Sequence, residues 1–246
     1  MTRYPSIDPR EMEYYERFSA LWWDEDGPFW LLHRLNGLRV GYIRDQLLSL
    51  WPAADTRLPL RGLNILDLGC GGGILSEAMA ALGATVTGAD IVAKNIECAR
   101  IHAHDTGSSV RYQVASAEIL AGRGDLYDVV LNMEVVEHVA ELPIFLDACV
   151  RLVKPGGTMV VATVNRTLLS WLAVIVGAEY LLRWLPKGTH RWSKFPTDVE
   201  LENLLHDRGL VVFDRSGVTV NPITKRFRLS SFLGINYMLA ARKPAT

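Results

Sequence analysis

The chain has 246 residues, 49% of them hydrophobic and 22% charged, enough for one α/β domain with a full core or for such a domain carrying a cap. Its 26 basic and 27 acidic side chains leave a formal net charge of -1, so no global field recruits nucleic acid. The 3 cysteines, Cys70, Cys98 and Cys149, are too sparse for a disulfide framework or a CxxC metal site, and a reducing cytoplasm is the expected setting.

The opening residues, Met1-Thr-Arg-Tyr-Pro5, lead into charged positions rather than the apolar run of a signal peptide. Residues 8–50 are expected to be helical and amphipathic, with aromatics gathered at Tyr14, Tyr15, Phe18, Trp22 and Trp23. A polar, proline-containing stretch over 52–61 reads as a connector. Residues 1–61 are therefore expected to form a helical cap belonging to the same domain as 62–246.

From Leu63 onward, strands and helices alternate. The short apolar run 64–68, ending in an acidic residue and glycines, suits a buried parallel strand. A helix is expected over 74–82, stopped by Gly83, then a strand over 85–89 and a helix over 92–104. Strands follow over 110–114 and 127–132, with a helix after Leu142 and a fifth strand over 157–164. Beyond residues 165–195, a capped helix from Thr197 or Asp198 to His206 is stopped by Gly209, and strands over about 210–220 and 234–242 finish the chain. The alternation predicts an α/β fold: a Rossmann-like, doubly wound, mostly parallel seven-stranded sheet, with N-terminal helices and a helical insertion after strand five.

The stretch Ile65-Leu-Asp-Leu-Gly-Cys-Gly-Gly-Gly73 puts glycines after a strand and at a helix start, where backbone passes close to a ligand. A dinucleotide fingerprint, Gly-x-Gly-x-x-Gly, requires glycine where this chain has Ile74, so that reading fails at its most specific position. Asp90 ends strand two, roughly 20 residues on, where a carboxylate can chelate both ribose hydroxyls. Ribose recognition beside a glycine loop without a pyrophosphate site points to an adenosyl cofactor. Asp67, just before the loop, either holds the loop or receives an ammonium group. With Leu152-Val-Lys-Pro-Gly-Gly157 ahead of strand five, these segments resemble the class I S-adenosylmethionine-dependent methyltransferases.

The resemblance narrows further. His33-Arg-Leu-Asn-Gly-Leu-Arg39, residues 69–76, Asn132-Met-Glu-Val-Val-Glu-His138, residues 188–195 and Asn236-Tyr-Met238 are similar to the ubiquinone-biosynthesis O-methyltransferases, from about Glu13 to Lys243. That resemblance implies methylation of phenolic hydroxyls on polyprenylated phenol or catechol intermediates, at both O-methylation steps of ubiquinone synthesis. It implies contacts with S-adenosyl-L-methionine at Arg39, Gly69, Asp90 and Met133. Arg39 can pair with the methionyl carboxylate, Gly69 admits close approach, and Met133 can border the adenosine or methionyl part. Two other functions stand beside it: a methyltransferase for another small acceptor, and a non-catalytic adenosyl-binding assembly subunit.

Methyl transfer from a sulfonium is an in-line displacement, and a phenol of pKa about 10 must be deprotonated or polarised before it attacks. Glu134, Glu137 and His138 follow strand four at the carboxyl edge, and at helical spacing they share one face. In one reading all three hold a divalent cation such as Mg²⁺ that binds both catechol oxygens. The eukaryotic branch of the resembling family associates the equivalent Glu-x-x-Glu-His with Mg²⁺, although histidine is an unusual magnesium ligand. In a second reading His138 is a general base oriented by Glu137, with no metal; in a third the pair stabilises the loop.

From Leu168 to Lys194 an apolar stretch, interrupted by Glu179 and Arg183, passes into the basic residues Lys187, Arg191 and Lys194. A spanning helix needs about 20 mostly apolar residues, and a central charge opposes insertion. Tryptophans beside basic residues suit an anionic membrane surface or a substrate's lipid tail, whereas a buried helix capping the active site is the alternative. The expected enzyme is cytoplasmic or peripheral on the inner face of the membrane, alone or within a ubiquinone-biosynthesis complex.

Overall fold

Apolar runs without a polar face form the centre of one sheet. In β1 (Asn64–Leu68), β4 (Tyr127–Met133) and β5 (Val153–Val164), neighbours such as Ile65 and Leu66, or Val130 and Leu131, are all fully buried. Successive strand residues point to opposite faces, so burial of both demands cover on both sides. The structure, a computed structural model, describes residues 6–182, 184, 191–221 and 224–245; Arg183 and Lys187 of the expected basic stretch lie outside them.

Parallel to these strands run β2 (Thr85–Asp90) and β3 (Arg111–Val114), and three antiparallel strands close the other edge: β6 (Val211–Asn221), β7 (Arg226–Ser230) and β8 (Asn236–Arg242). Among the described residues the order is β3-β2-β1-β4-β5-β8-β6-β7, eight strands rather than the expected seven. The additional strand is β7, Arg226-Phe-Arg-Leu-Ser230, which pairs with the end of β6 at the sheet edge. Its alternating arginines leave one face in solvent, so it lacks the apolar run that marks the central strands.

Helices cover both faces. α2 (Trp30–Leu50), α3 (Ile74–Ala81) and α4 (Ala93–Thr106) pack Ile43, Leu47, Met79 and Ile96 on one side. On the other, α5 (Ala117–Arg123), α6 (Leu142–Leu152) and α8 (Asp198–His206) contribute Leu120, Leu146, Leu201 and Leu205. The start of α8 is a reciprocal cap, with the Glu200 N–H donating to Thr197 Oγ1 and the Thr197 N–H to Glu200.

Two features differ from the pattern reading. The expected helix over 8–50 is broken: α1 (Pro9–Phe18) ends in a short 3₁₀ turn (Ser19–Leu21), and α2 starts only at Trp30. Gly27-Pro28 lies in the break, where proline withholds an N–H and disfavours helix at the residue before it. This turn buries Trp22 against the glycine loop. The insertion begins as α7 (Leu168–Ser170), capped by Thr167, and continues as a π-helix (Trp171–Leu181), with the Leu182 N–H donating to Gly177 O at i-5 spacing. No helix among the described residues is long and apolar enough to cross a membrane.

Candidate active site

The loop between β1 and α3 turns through left-handed backbone at Gly69 (φ 67°) and Gly71 (φ 54°), a region that costs a side-chain-bearing residue energy. Packing adds a second requirement. A Cβ on Gly69 would lie 2.5 Å from the Val135 side chain, and one on Gly71 would lie 2.3 Å from the Trp22 ring. Loop and neighbouring strand are tied through backbone, the Gly69 N–H donating to Ala89 O at 2.7 Å.

Asp90 completes the tie. The Gly71 N–H donates to its Oδ2 at 3.0 Å and the Val92 N–H to its Oδ1 at 2.7 Å. Burial pushes the Asp90 carboxyl up, and these bonds oppose that shift. Asp67 is held by the Ser76 hydroxyl, which donates to Oδ2 at 2.6 Å, so the structure places it as a loop anchor. Burial is the main reason the Asp67 carboxyl is pushed up to about 7; the Asp90 charge adds to the rise while Ser76 and Arg39 oppose it.

A cavity of about 610 Å³ opens beside this loop. Arg39, Gly69, Asp90 and Met133 all line it, as do Glu134 and His138. Gly69, Asp90 and Met133 come from the carboxyl edge of the sheet, and α2 delivers Arg39 from outside it. The buried Arg39 guanidinium pairs with the Glu134 carboxylate.

The trio Glu134, Glu137 and His138 does not share a helical face. The chain leaves β4 through Glu134 in left-handed backbone (φ 59°) and then makes a turn closed by the His138 N–H on Val135 O at 2.9 Å. Glu134 faces Arg39. Glu137, almost fully buried, accepts from the Thr163 hydroxyl at 2.8 Å, and burial, reinforced by the Glu134 charge, pushes its carboxyl well above the ordinary range. His138 points elsewhere, with Nδ1 3.0 Å from Glu11 Oε2 and Nε2 3.2 Å from Tyr15 Oη.

Among the described residues, no group of three His, Cys, Asp or Glu side chains is arranged to hold a metal ion. The donors do not fit Mg²⁺: one carboxylate is paired with arginine, one is driven toward its neutral form, and the imidazole is engaged by another carboxylate. The orientation expected from Glu137 comes instead from Glu11, more than 120 positions away in the sequence.

Sequence reasoning also missed Trp22. Its indole donates to Asn95 Oδ1 at 2.9 Å and its ring stacks on Phe29 with centroids 3.8 Å apart. The cluster of aromatics was visible as a signal, but the turn that aims one of them at the loop was not.

The mostly parallel sheet, with a left-handed glycine loop after β1, is the fold of an S-adenosylmethionine-dependent methyltransferase. A methyltransferase-domain model accordingly matches residues 35–214. The ubiquinone biosynthesis O-methyltransferase of Chelativorans sp. (strain BNC1) is 48% identical over 98% of this chain and 96% of its own length. That of Roseobacter denitrificans (strain ATCC 33942 / OCh 114) is 48% identical over 98% of this chain and 98% of its own. The chain belongs to the ubiquinone biosynthesis O-methyltransferase family. Its fold is shared with the magnesium protoporphyrin IX methyltransferase from Synechocystis PCC 6803, crystallised with bound SAH, at a TM-score of 0.66 and 20% identity over 94% of each chain.

The Asp67 carboxyl has a testable consequence for stability. Its folded pKa of about 7 lies above the ordinary 3.8, so between these values the folded state holds more protons than the unfolded state. Its contribution to unfolding free energy therefore falls as pH rises from about 4 to 7. Urea melts of wild type and Asp67→Asn across that window should diverge by on the order of 3–4 kcal/mol, with the wild type losing more as pH rises. Parallel profiles would mean that Asp67 is not held near its neutral form.

Proposed function

We propose that this chain transfers a methyl group from S-adenosylmethionine to phenolic hydroxyls of polyprenylated catechol intermediates, at both O-methylation steps of ubiquinone synthesis. Full-length kinship with the family supports the reaction, and one observation on the site carries it. The same cavity is lined by Asp90 and His138 and by apolar groups from the insertion and the late strands, including Val174, Gly177, Val218 and Phe227. A polar phenol head and an apolar tail need that combination in one space.

The residues fit the cofactor. Asp90 takes the ribose hydroxyls while its backbone donors hold it in place. Arg39 carries five donors, so pairing with Glu134 leaves it able to hold the methionyl carboxylate. Gly69 brings backbone close, and Met133 borders the adenosine or methionyl part. When bound, S-adenosylmethionine supplies an electrophilic methyl carbon on a cationic sulfur.

His138 Nε2 removes the phenolic proton, and the phenolic oxygen forms the C–O bond as the methyl–sulfur bond breaks, its electron pair remaining on sulfur. The imidazolium then returns its proton to solvent. Glu137 supports the turn from below through Thr163. No step is routed through a metal ion.

The insertion contacts an anionic membrane surface. Leu168, Leu169 and Leu172 are exposed at 71%, 45% and 47%, Trp171 and Trp192 are exposed, and exposed Arg191 precedes Trp192 in the chain. Sedimentation with vesicles should show binding that grows with anionic lipid and weakens in Leu168→Asp/Leu172→Asp. Equal sedimentation of both proteins would move the membrane contact elsewhere.

Labelled methyl transfer to a short-tailed prenyl catechol should exceed transfer to untailed catechol and should survive a chelator. Measurable cofactor binding without turnover on either would mean that the acceptor is wrong; turnover abolished by chelator and restored by Mg²⁺ would overturn the metal-free route. By calorimetry, Asp90→Ala should weaken cofactor affinity by about 1–3 kcal/mol, and an unchanged affinity would remove the ribose assignment.

A further inference from the structure

His138 sits at the cavity with both ring nitrogens engaged by one helix that is not part of the sheet's own cover. Glu11 Oε2 is 3.0 Å from Nδ1 and Tyr15 Oη is 3.2 Å from Nε2; both residues lie on α1, one helical turn apart. The Tyr15 ring meets the imidazole edge-on, with centroids 5.6 Å apart and planes at 87°. Side-chain exposure is 11% for His138 and 17% for Glu11, so the pair is largely screened from solvent.

The chemistry of these partners fixes the imidazole. An ionised carboxylate only accepts hydrogen bonds, so the Nδ1 facing Glu11 must carry the proton. In the neutral ring Nε2 then bears the lone pair, and Tyr15 must be the donor to it. Burial and the surrounding carboxylates hold the Tyr15 hydroxyl well above its ordinary range, so it keeps its proton. A phenol of the chain's own thus stands on Nε2, the place where an acceptor phenol would have to present its proton.

We infer that Glu11 is the positioning residue of this enzyme: from α1 it holds His138 as the Nδ1–H tautomer, so that Nε2 is the basic nitrogen, covered by the Tyr15 hydroxyl until the acceptor's own hydroxyl displaces it. The inference rests on the reading of His138 as the base. As the proton passes to Nε2, the Glu11 carboxylate stabilises the resulting imidazolium through Nδ1–H, without itself taking the proton. Glu137, the nearer residue in sequence, is directed into the turn by Thr163 instead.

The helix that carries Glu11 packs Tyr15 and Phe18 against the cluster of Trp22, Phe29 and Ile74, and polar contacts flank it. Lys194 Nζ donates to Asp8 Oδ2 at 2.7 Å, the Ala140 N–H donates to Ser6 O at 2.9 Å, and Ser6 bonds Glu118. The base is therefore complete only while α1 is seated, which joins covering the cavity to preparing it for proton removal.

Glu11→Ala in the full chain tests this, because Glu11 lies outside the apolar packing that Tyr15 and Phe18 give α1, and the variant should melt with the wild type. Its kcat on a short-tailed prenyl catechol should fall about 10–100-fold, with KM and cofactor Kd within about twofold. Glu11→Gln, which keeps an acceptor but not the charge, should fall between. Nitrogen NMR of ¹⁵N-histidine protein should show His138 protonated at Nδ1 in wild type and shifted toward Nε2–H in Glu11→Ala. Unchanged kcat in Glu11→Ala, or Nε2–H in the wild type, would overturn the inference. The base reading fails separately: His138→Ala with full kcat would remove it while leaving the tautomer signature in place. Inactive His138→Ala beside fully active Glu11→Ala would remove the inference alone.

Discussion

A carboxylate taken out of water at the end of β2 must be answered by donors, and at Asp90 the answer comes from the chain's own backbone. The N–H groups of Gly71 and Val92 each donate to one of its oxygens, so the ion that the fold buries is also the clamp that shapes the glycine loop. With that clamp in place, α3 can start at Ile74 and Asp67 can reach Ser76 on it. Trp22 can then lie flat over Gly71, anchored through Asn95 at the start of α4. Losing the carboxylate would leave donors unpaired and loosen three elements together.

The cost of this arrangement shows in the neighbouring acids. Asp67, Asp90 and Glu137 are all buried, and burial raises each of them, with a neighbouring carboxylate adding to the rise at Asp67 and Glu137. Arg39 partly offsets this by pairing with Glu134. Such a site favours cationic ligands, since a positive charge relieves repulsion that the protein alone leaves unbalanced. A sulfonium with an ammonium group has that character.

How far the site could be read in advance depends on how local each relation is. The central strands were legible because Ile65–Leu68 or Val129–Leu131 must be covered on both faces, a demand written in consecutive residues. The loop was legible for the same reason, and so was Asp90 at a strand end. β7 was not, since Arg226 and Arg228 advertise solvent while only Phe227 turns inward toward the cavity. The spacing of Glu134, Glu137 and His138 suggested a helical face, but with left-handed backbone at Glu134 the two carboxyl groups stay near each other while His138 turns away to Glu11 and Tyr15. Glu11 and Tyr15 were out of reach entirely, because nothing local relates α1 to a turn that follows β4.

The segments that cover the cavity are linked to one another rather than only to the sheet. Lys194, at the end of the insertion, holds Asp8 at the start of α1. Trp184 receives the Trp30 indole N–H on its carbonyl oxygen at 3.0 Å, and the Lys225 ammonium lies 4.7 Å from the Trp30 ring centroid, between β6 and β7. These contacts are polar or cation–π and only partly buried, so each is weak compared with the apolar packing of the sheet. Few and individually weak, such contacts let the cover give way locally where a long-tailed acceptor has to fit. Of these contacts, the one between Lys194 and Asp8 also seats α1, the helix that sets Glu11 against His138, so parting there would release that pair too. On the proposed mechanism a cover joined this way serves both ends, since it yields to the tail and, once seated, keeps Glu11 on Nδ1 of His138.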